Sequence, residues 1–461
     1  GCKIQSSREL IDIDATEYTL ENGIKVILKS TNFKDDEILM KAEAPGGSSL
    51  FGLYDFPSTL FATELVERSG LGAFDYISLQ KKLKGKNISI SPVIGELWNG
   101  FYGSTTPKDF EVMLQLLYLY YDAPRFDESA FQAIISETKN QIKFISSNPM
   151  YVFLDTLIKI STQSDPRIQV VPDETLINNA TYKQALDVYK DRFSSAGNLI
   201  FTFVGNINKE EMLPLIEKYI GSLPIIDKKE MFKNVYFGFP NETQDINIYV
   251  GVDNKSSMGI IFNHDYEWNT KTNLCLDIFQ EILDIQLYEV IREKMGGTYS
   301  PTLQFNYNKY PETEYSMMIY INCDPKKTKK ISKTVFSIIN KTLSKGFTNE
   351  ELQKAKEQIK KSIELNFEKN SYWQNYISEQ YFNGDPLDEY KTYQQLLNEI
   401  TAEEILKTIQ PIFNTSHYVS VYQYPEKKNA KVKEDKNKDT EESDNEKEES
   451  EEPIKKSKTK K

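Results

Sequence analysis

The chain has 461 residues, 39% of them hydrophobic and 27% charged, with a formal net charge of -12, a length that supports roughly two to three domains. No run approaches the roughly 20 apolar residues of a membrane-spanning helix, and the acidic balance disfavours nucleic acid as the main partner. Two histidines, His264 and His417, and three cysteines, Cys2, Cys275 and Cys323, stand at no ligand spacing in the chain, so the sequence carries neither a self-contained zinc motif nor a disulfide framework.

In chain order, residues 1–15 read as a linker or truncated N-terminal segment. The chain begins with Gly1 rather than Met, which reads as processing or excision from something longer. Gly1-Cys2 is compatible with a lipoprotein remnant, although the apolar stretch of such a signal is not present and maturation would leave the cysteine first. Tyr18 and Leu20 alternate with polar residues, Asn22-Gly23 supplies a tight turn, and Ile24, Val26 and Leu28 resume the alternation; this predicts a β-hairpin. A second alternating run, Ile38 to Ala44, ends at Pro45-Gly46-Gly47. Helices are predicted from Pro57 to Arg68, Leu79 to Leu83 and Pro107 to Tyr121, with a strand from Asn87 to Val93. Between Glu128 and Ile145, the residues Phe131, Ile135, Thr138, Ile142 and Ile145 mark one face of a long helix, which must stop before Asn148-Pro149. A buried strand, Phe201 to Val204, leads to Asn208 and Glu211, a capping box for a helix closing near Gly221.

A charged connector, residues 226–240, precedes a second round of the same parts. Strands are predicted over 246–250 and 258–263, then a strongly apolar helix from Thr270 to Lys294 that stops at Gly296-Gly297. Strands over 298–305 and 314–321 follow, then helices from Pro325 onward. Two of these helices are capped by Thr348 with Glu351 and Thr401 with Glu404, and a last strand spans His417 to Tyr424. The two rounds share one order of parts, consistent with a duplicated α+β unit. From Glu426 to Lys461, twelve acidic and twelve basic residues accompany only Ala430, Val432 and Ile454 as apolar members. Residues 426–461 therefore read as a disordered charged tail, and the folded body carries the whole net charge.

Tyr18-Thr-Leu-Glu-Asn-Gly-Ile-Lys-Val-Ile-Leu28, Pro45-Gly-Gly-Ser48, Ser69-Gly70, Val204-Gly-Asn-Ile207 and Gly221-Ser-Leu-Pro224, in that order and spacing, resemble a domain of the pitrilysin/insulinase (M16) zinc metallopeptidases. The resemblance covers about residues 16 to 425. It implies a pair of homologous α+β domains, here residues 16–225 and 241–425, each a mainly antiparallel sheet flanked by helices. A complete family enzyme carries two such pairs, which close around a peptide.

The catalytic pair of that family carries an inverted zinc motif, H-x-x-E-H, with a further glutamate downstream. Two imidazoles and a carboxylate hold the metal there, and the intervening glutamate takes a proton from the metal-bound water. The corresponding residues here read Phe61-Ala-Thr-Glu-Leu65. Only the base position is matched, by Glu64; Phe61 and Leu65 replace both imidazoles, and the third-ligand region offers the amides of Asn140 and Gln141. Taken without the resemblance, Glu64 reads as a helix residue facing solvent or a basic neighbour.

Arg292-Glu-Lys-Met-Gly-Gly-Thr-Tyr299 resembles the motif of the non-catalytic half, in which an arginine and a tyrosine reach the substrate across the chamber. Without the family, Arg292 is a solvated helix-end cation and Tyr299 a packed strand aromatic. His264 and His417 read as structural, and Lys327 to Lys330 as one solvated helix face.

The resemblance thus implies the carboxyl-terminal, non-catalytic half of an M16 peptidase, inactive alone and binding no cofactor itself. Zinc is expected in the catalytic half, which is either part of the same longer chain or a separate subunit. The substrate would be a peptide or small protein, and the location periplasmic by analogy. The alternative is a standalone peptide-binding or scaffolding subunit with no part in catalysis.

Overall fold

The computed structural model of the chain describes residues 1–296 and 301–426, and residues 1–426 form one compact unit. The tail from residue 427 onward lies outside the described residues.

The first half opens with strands β1 (Ile4–Leu10), β2 (Ala15–Leu20), β3 (Lys25–Ser30) and β4 (Ile38–Pro45), then helices α1 (Phe56–Thr59), α2 (Ala62–Ser69) and α3 (Tyr76–Leu83). Strands β5 (Ile88–Ile94) and β6 (Trp98–Thr105) follow, then helices α4 (Phe110–Asp122), α5 (Glu128–Ile145), α6 (Pro149–Ser161), α7 (Glu174–Asn178) and α8 (Tyr182–Arg192). Strand β7 (Ile200–Gly205) and helix α9 (Lys209–Tyr219) complete it.

The second half has β8 (Gln244–Tyr249), β9 (Ser256–Asp265), α10 (Thr270–Leu287), β10 (Thr302–Asn308) and β11 (Glu314–Cys323). It continues with α11 (Thr328–Lys345), α12 (Asn349–Phe367), α13 (Asn370–Asn383), α14 (Glu389–Glu399), α15 (Ala402–Ile409) and β12 (Val419–Tyr424).

The sheets run β1-β2-β3-β7-β4-β6-β5 and β10-β11-β9-β12-β8. In the first, only β3 and β7 pair in parallel; in the second, only β8 and β12 do. Laid side by side, β3 to β7 and β8 to β12 have the same neighbours and the same directions, so the expected duplication is present as topology. The fold class is α+β, two mainly antiparallel sheets flanked by helices.

The first fifteen residues, expected as a linker, instead add edge strand β1, which pairs antiparallel with β2. Its polar sequence suits an edge, where one face and one row of amides meet water. Strand β6 also escapes sequence reading, because its glycines dilute the strand signal. Gly100 is nonetheless required: a Cβ there would lie 1.8 Å from the Ala42 carbonyl oxygen on β4.

Each half contributes a helix to the other. Helix α6 lays Phe153 and Leu157 against Ile261, Val419 and Val421 of the second sheet, and a Cβ on Gly259 would meet Leu157 at 2.5 Å. In return, α13 lays Trp373 and Ile377 against Leu10, Ile13, Ile27 and Val204 of the first. Both are third in the helical series that precedes the closing strand of their half, so the exchange follows the duplication.

The second core surrounds α10, whose Leu274, Ile278 and Ile282 are fully buried. The same helix carries an acid inward: Asp277 accepts hydrogen bonds from Tyr307 of β10 (3.3 Å) and Tyr393 of α14 (2.5 Å). Burial pushes its carboxyl up to about 6 against the tyrosine hydrogen bonds, and Glu281 on the same helix adds to the rise. Tyr266, after β9, faces the same charge. Well below its ordinary pKa, about 3.9, an aspartate is protonated whether the chain is folded or not. Between about pH 4 and pH 6 the unfolded chain ionises while the folded chain still holds the proton, so stability falls over that window, by up to about 3 kcal/mol, and the loss is complete above it. Asp277→Asn keeps an acceptor and removes the charge. Urea unfolding across pH should therefore find it on the order of 1–3 kcal/mol more stable than the parent above about pH 6.5, with the difference gone below about pH 3. A difference that does not vary with pH would contradict the assignment.

Candidate functional site

The residues aligned with the zinc motif run from Phe61, the N-cap of α2, into its first turn. The i, i+4 spacing sets Phe61 and Leu65 on one helical face, and Leu65 N–H donates to the Phe61 carbonyl at 2.9 Å. That face is turned into the first core. Leu65 is 0% exposed and Phe61 5%, and the Phe61 ring meets Phe131 of α5 edge-on at 6.3 Å.

Glu64 projects from the flank of the helix and, with Glu67 and Arg68, lines a groove of ≈ 1060 Å³ against α3 and β5. Burial raises the Glu67 carboxyl, the Ser91 hydroxyl opposes the rise and the Glu64 charge adds to it. Arg68 pairs with Glu137 at 2.9 Å, while Asn140 and Gln141 are exposed on α5. Zinc does not fit this donor set: two apolar core side chains, one carboxylate and two amides cannot hold it. Among the described residues no group of three or more histidines, cysteines or acids is placed so that it could hold a metal ion.

Far apart in the chain, the two histidines meet in the fold. His264 on β9 and His417 before β12 stand 6.2 Å apart between ring centroids. Burial lowers the His264 pKa, the Asn414 carbonyl 3.2 Å from Nε2 opposes that, and the His417 charge adds to the lowering. His417 Nε2 is buried without a hydrogen-bond partner among the described residues.

Arg292 stands on a different kind of turn. Helix α10 does not run regularly to Lys294 as the periodicity predicts; it passes into a π-helical turn over Tyr288–Lys294, with Met295 N–H donating to the Val290 carbonyl at 3.0 Å. Such widened turns are rare and occur often at functional sites. The turn sets Arg292 against Tyr288: Nη1 donates to the phenol oxygen at 2.5 Å, and the guanidinium carbon lies 4.9 Å from the ring centroid. Both side chains remain exposed, and the cation is held against the ring. Gly296, at φ +60, ends the helix.

Tyr299 lies outside the described residues, and the strand expected over 298–305 is observed over Thr302–Asn308. Tyr288 was not among the residues singled out from sequence, although an aromatic four residues before an arginine on a helix is a recognisable pairing signal. Beside the turn, Val290 and the α11 lysines Lys329, Lys330, Lys333 and Lys341, with Lys326 just before that helix, line a groove of ≈ 610 Å³. The basic face thus extends well beyond the run read from sequence.

Residues 179–359 match the family model described as the Peptidase M16 inactive domain. Over that span the chain resembles the M16 peptidase family. A "Probable zinc protease PqqL" of Haemophilus influenzae is 23% identical over 400 residues, covering 83% of this chain and 41% of that relative. The crystal structure of the periplasmic protease PqqL from Escherichia coli superposes with a TM-score of 0.79 at 19% identity, over 92% of this chain and 47% of that one. An M16 inactive domain from Pseudomonas fluorescens superposes with a TM-score of 0.73 at 17% identity, over 89% of this chain and 98% of its own. The chain thus spans less than half of the longer relatives it matches. The α1 to α3 segment occupies the same topological place, between the second and third strands of the repeat, as α10 and its π-helical turn. Among the described residues no helix is long and apolar enough to cross a membrane.

Proposed function

We propose that this chain walls the peptide chamber of an M16 zinc peptidase and presents Arg292, with Tyr299, to the scissile peptide bond. The metal is held by a catalytic half, whether in the same longer chain or in a separate subunit. The observation that carries this reading is the π-helical turn, which fixes an exposed guanidinium at the end of a buried helix. A donor fixed before the reaction costs no reorganisation when negative charge develops on the carbonyl oxygen. The domains 16–225 and 241–425, joined by connector 226–240, are the two repeats of this half, and the chain is inactive alone. The periplasm is its proposed location, by analogy with the periplasmic protease PqqL of Escherichia coli.

Reconstitution with a catalytic half tests the reading. Arg292→Ala should lower kcat about a hundredfold with a small change in KM, and Tyr299→Phe should act in the same direction, because an interaction made mainly in the transition state shows in kcat. Peptide hydrolysis by this chain alone that a chelator abolishes would overturn it.

The second reading, a peptide-binding subunit without a part in catalysis, draws on the groove beside Glu64, where Leu60, Tyr76 and Ile77 are 44%, 40% and 64% exposed. On that reading the same substitutions change only KM, or nothing.

A further inference from the structure

A cavity of ≈ 490 Å³ opens among α10, α12, α13, α14 and β10, away from Arg292 and from the α2 groove. Its lining contains four acids, Asp277, Glu281, Glu379 and Glu389, and no lysine, arginine or histidine. Aromatic side chains supply the rest of its character: Trp268, Tyr307, Tyr372, Tyr376, Tyr390 and Tyr393.

The acids are not spent on the fold alike. Glu389 accepts from Thr270 (2.7 Å) and Gln380 (2.8 Å), which fixes it. Glu281 and Glu379 make no hydrogen bond or ion pair among the described residues. Asp277 takes both of its tyrosine hydrogen bonds on Oδ2, and its Oδ1 has no hydrogen-bond partner among the described residues. Burial raises the carboxyls of Asp277 and Glu281, while Glu379 is exposed and Lys41 offsets part of its charge, so negative charge on the two α10 acids is held at a cost that a cation would relieve. Aromatic faces around carboxylates are the chemistry that selects an organic cation, by ring quadrupole and ion pairing together. The volume suits one side chain or a small molecule.

We propose that this cavity is a binding site for a single organic cation, an ammonium or guanidinium on an alkyl stem. A lysine or arginine side chain of a peptide and a free diamine offer the same group. The inference does not depend on the chamber assignment, since it concerns binding by this chain alone.

The test is calorimetric titration of the full chain at pH 7.5 with N-acetyl-lysine amide, N-acetyl-arginine amide and cadaverine, with N-acetyl-norleucine amide as the neutral isostere. Trp268 fluorescence provides a second readout. The basic probes should bind saturably and at least tenfold more tightly than the norleucine amide. Glu379→Gln and Glu281→Gln, which remove no hydrogen bond, should each weaken them several-fold while leaving the melting temperature within a degree or two. Tighter binding of the amides than of cadaverine supports a peptide side chain as the occupant, and the reverse supports a free amine. Equal binding of lysine and norleucine amides, no saturable binding of any basic probe, or unchanged affinity in both variants would overturn the site.

Discussion

Restoring the two imidazoles, by Phe61→His with Leu65→His, should destabilise this chain by on the order of 5 kcal/mol and should not create a zinc site. Both positions face the first core, Leu65 at 0% and Phe61 at 5% exposure. Each substitution gives up apolar contact and brings a polar ring among Phe131 and its neighbours, where the ring nitrogens find no partner. The third-ligand region adds nothing, because Asn140 and Gln141 are exposed amides. Urea unfolding would read the loss of stability, and metal content after dialysis against micromolar zinc would read the site. A double variant that melts like the parent and retains one equivalent of zinc would show that α2 can turn this face outward.

Trp373→Ala should be the most damaging single truncation at the junction of the halves, costing roughly 3–5 kcal/mol. The indole, 7% exposed, is the large member of the small cluster that fixes α13 to the first sheet. Its N–H donates to the Phe367 carbonyl at 3.0 Å, and the Lys29 ammonium sits 4.5 Å from its ring centroid. Lys29 is itself buried, which lowers its pKa, and donates to the Ile13 carbonyl; without the ring it loses its covering surface. Around the cluster, Asn370 donates to Glu37 at 2.9 Å and Tyr390 donates to the Asp12 carbonyl at 2.6 Å. Calorimetry should show the single transition of a compact unit broadening or splitting in two as the halves uncouple. A single sharp transition within about 2 °C of the parent would mean that α6 alone holds the halves together.

Much of this architecture follows from local chemistry. Asn22-Gly23 makes the expected hairpin turn, with Gly23 at φ +85. Helix α5 spans Glu128–Ile145 as its periodicity indicates, and both threonine–glutamate capping boxes, at Thr348 and Thr401, are present. Asn208 caps its helix, but through the Glu210 N–H at 3.1 Å, with its own amide reaching Glu211 at 2.9 Å. Other elements depend on partners distant in sequence. The predicted helix over 57–68 is interrupted at Leu60-Phe61, giving α1 and α2, and a regular apolar pattern cannot register such an interruption. Nor can it distinguish an α-helical turn from a π-helical one, since both place Tyr288 and Arg292 near each other.

The sequence by itself determined the duplicated α+β plan, the family resemblance and the absence of zinc ligands at Phe61 and Leu65, because strand alternation, caps and residue identity are local properties. Tertiary structure alone decided that those two positions are core, that His264 and His417 are neighbours, that each half lends a helix to the other, and that four acids line one aromatic cavity. Each of these is set by contacts between segments far apart in the chain, whose energy is pairwise and three-dimensional, so it leaves no trace in the spacing of residues along one strand or helix.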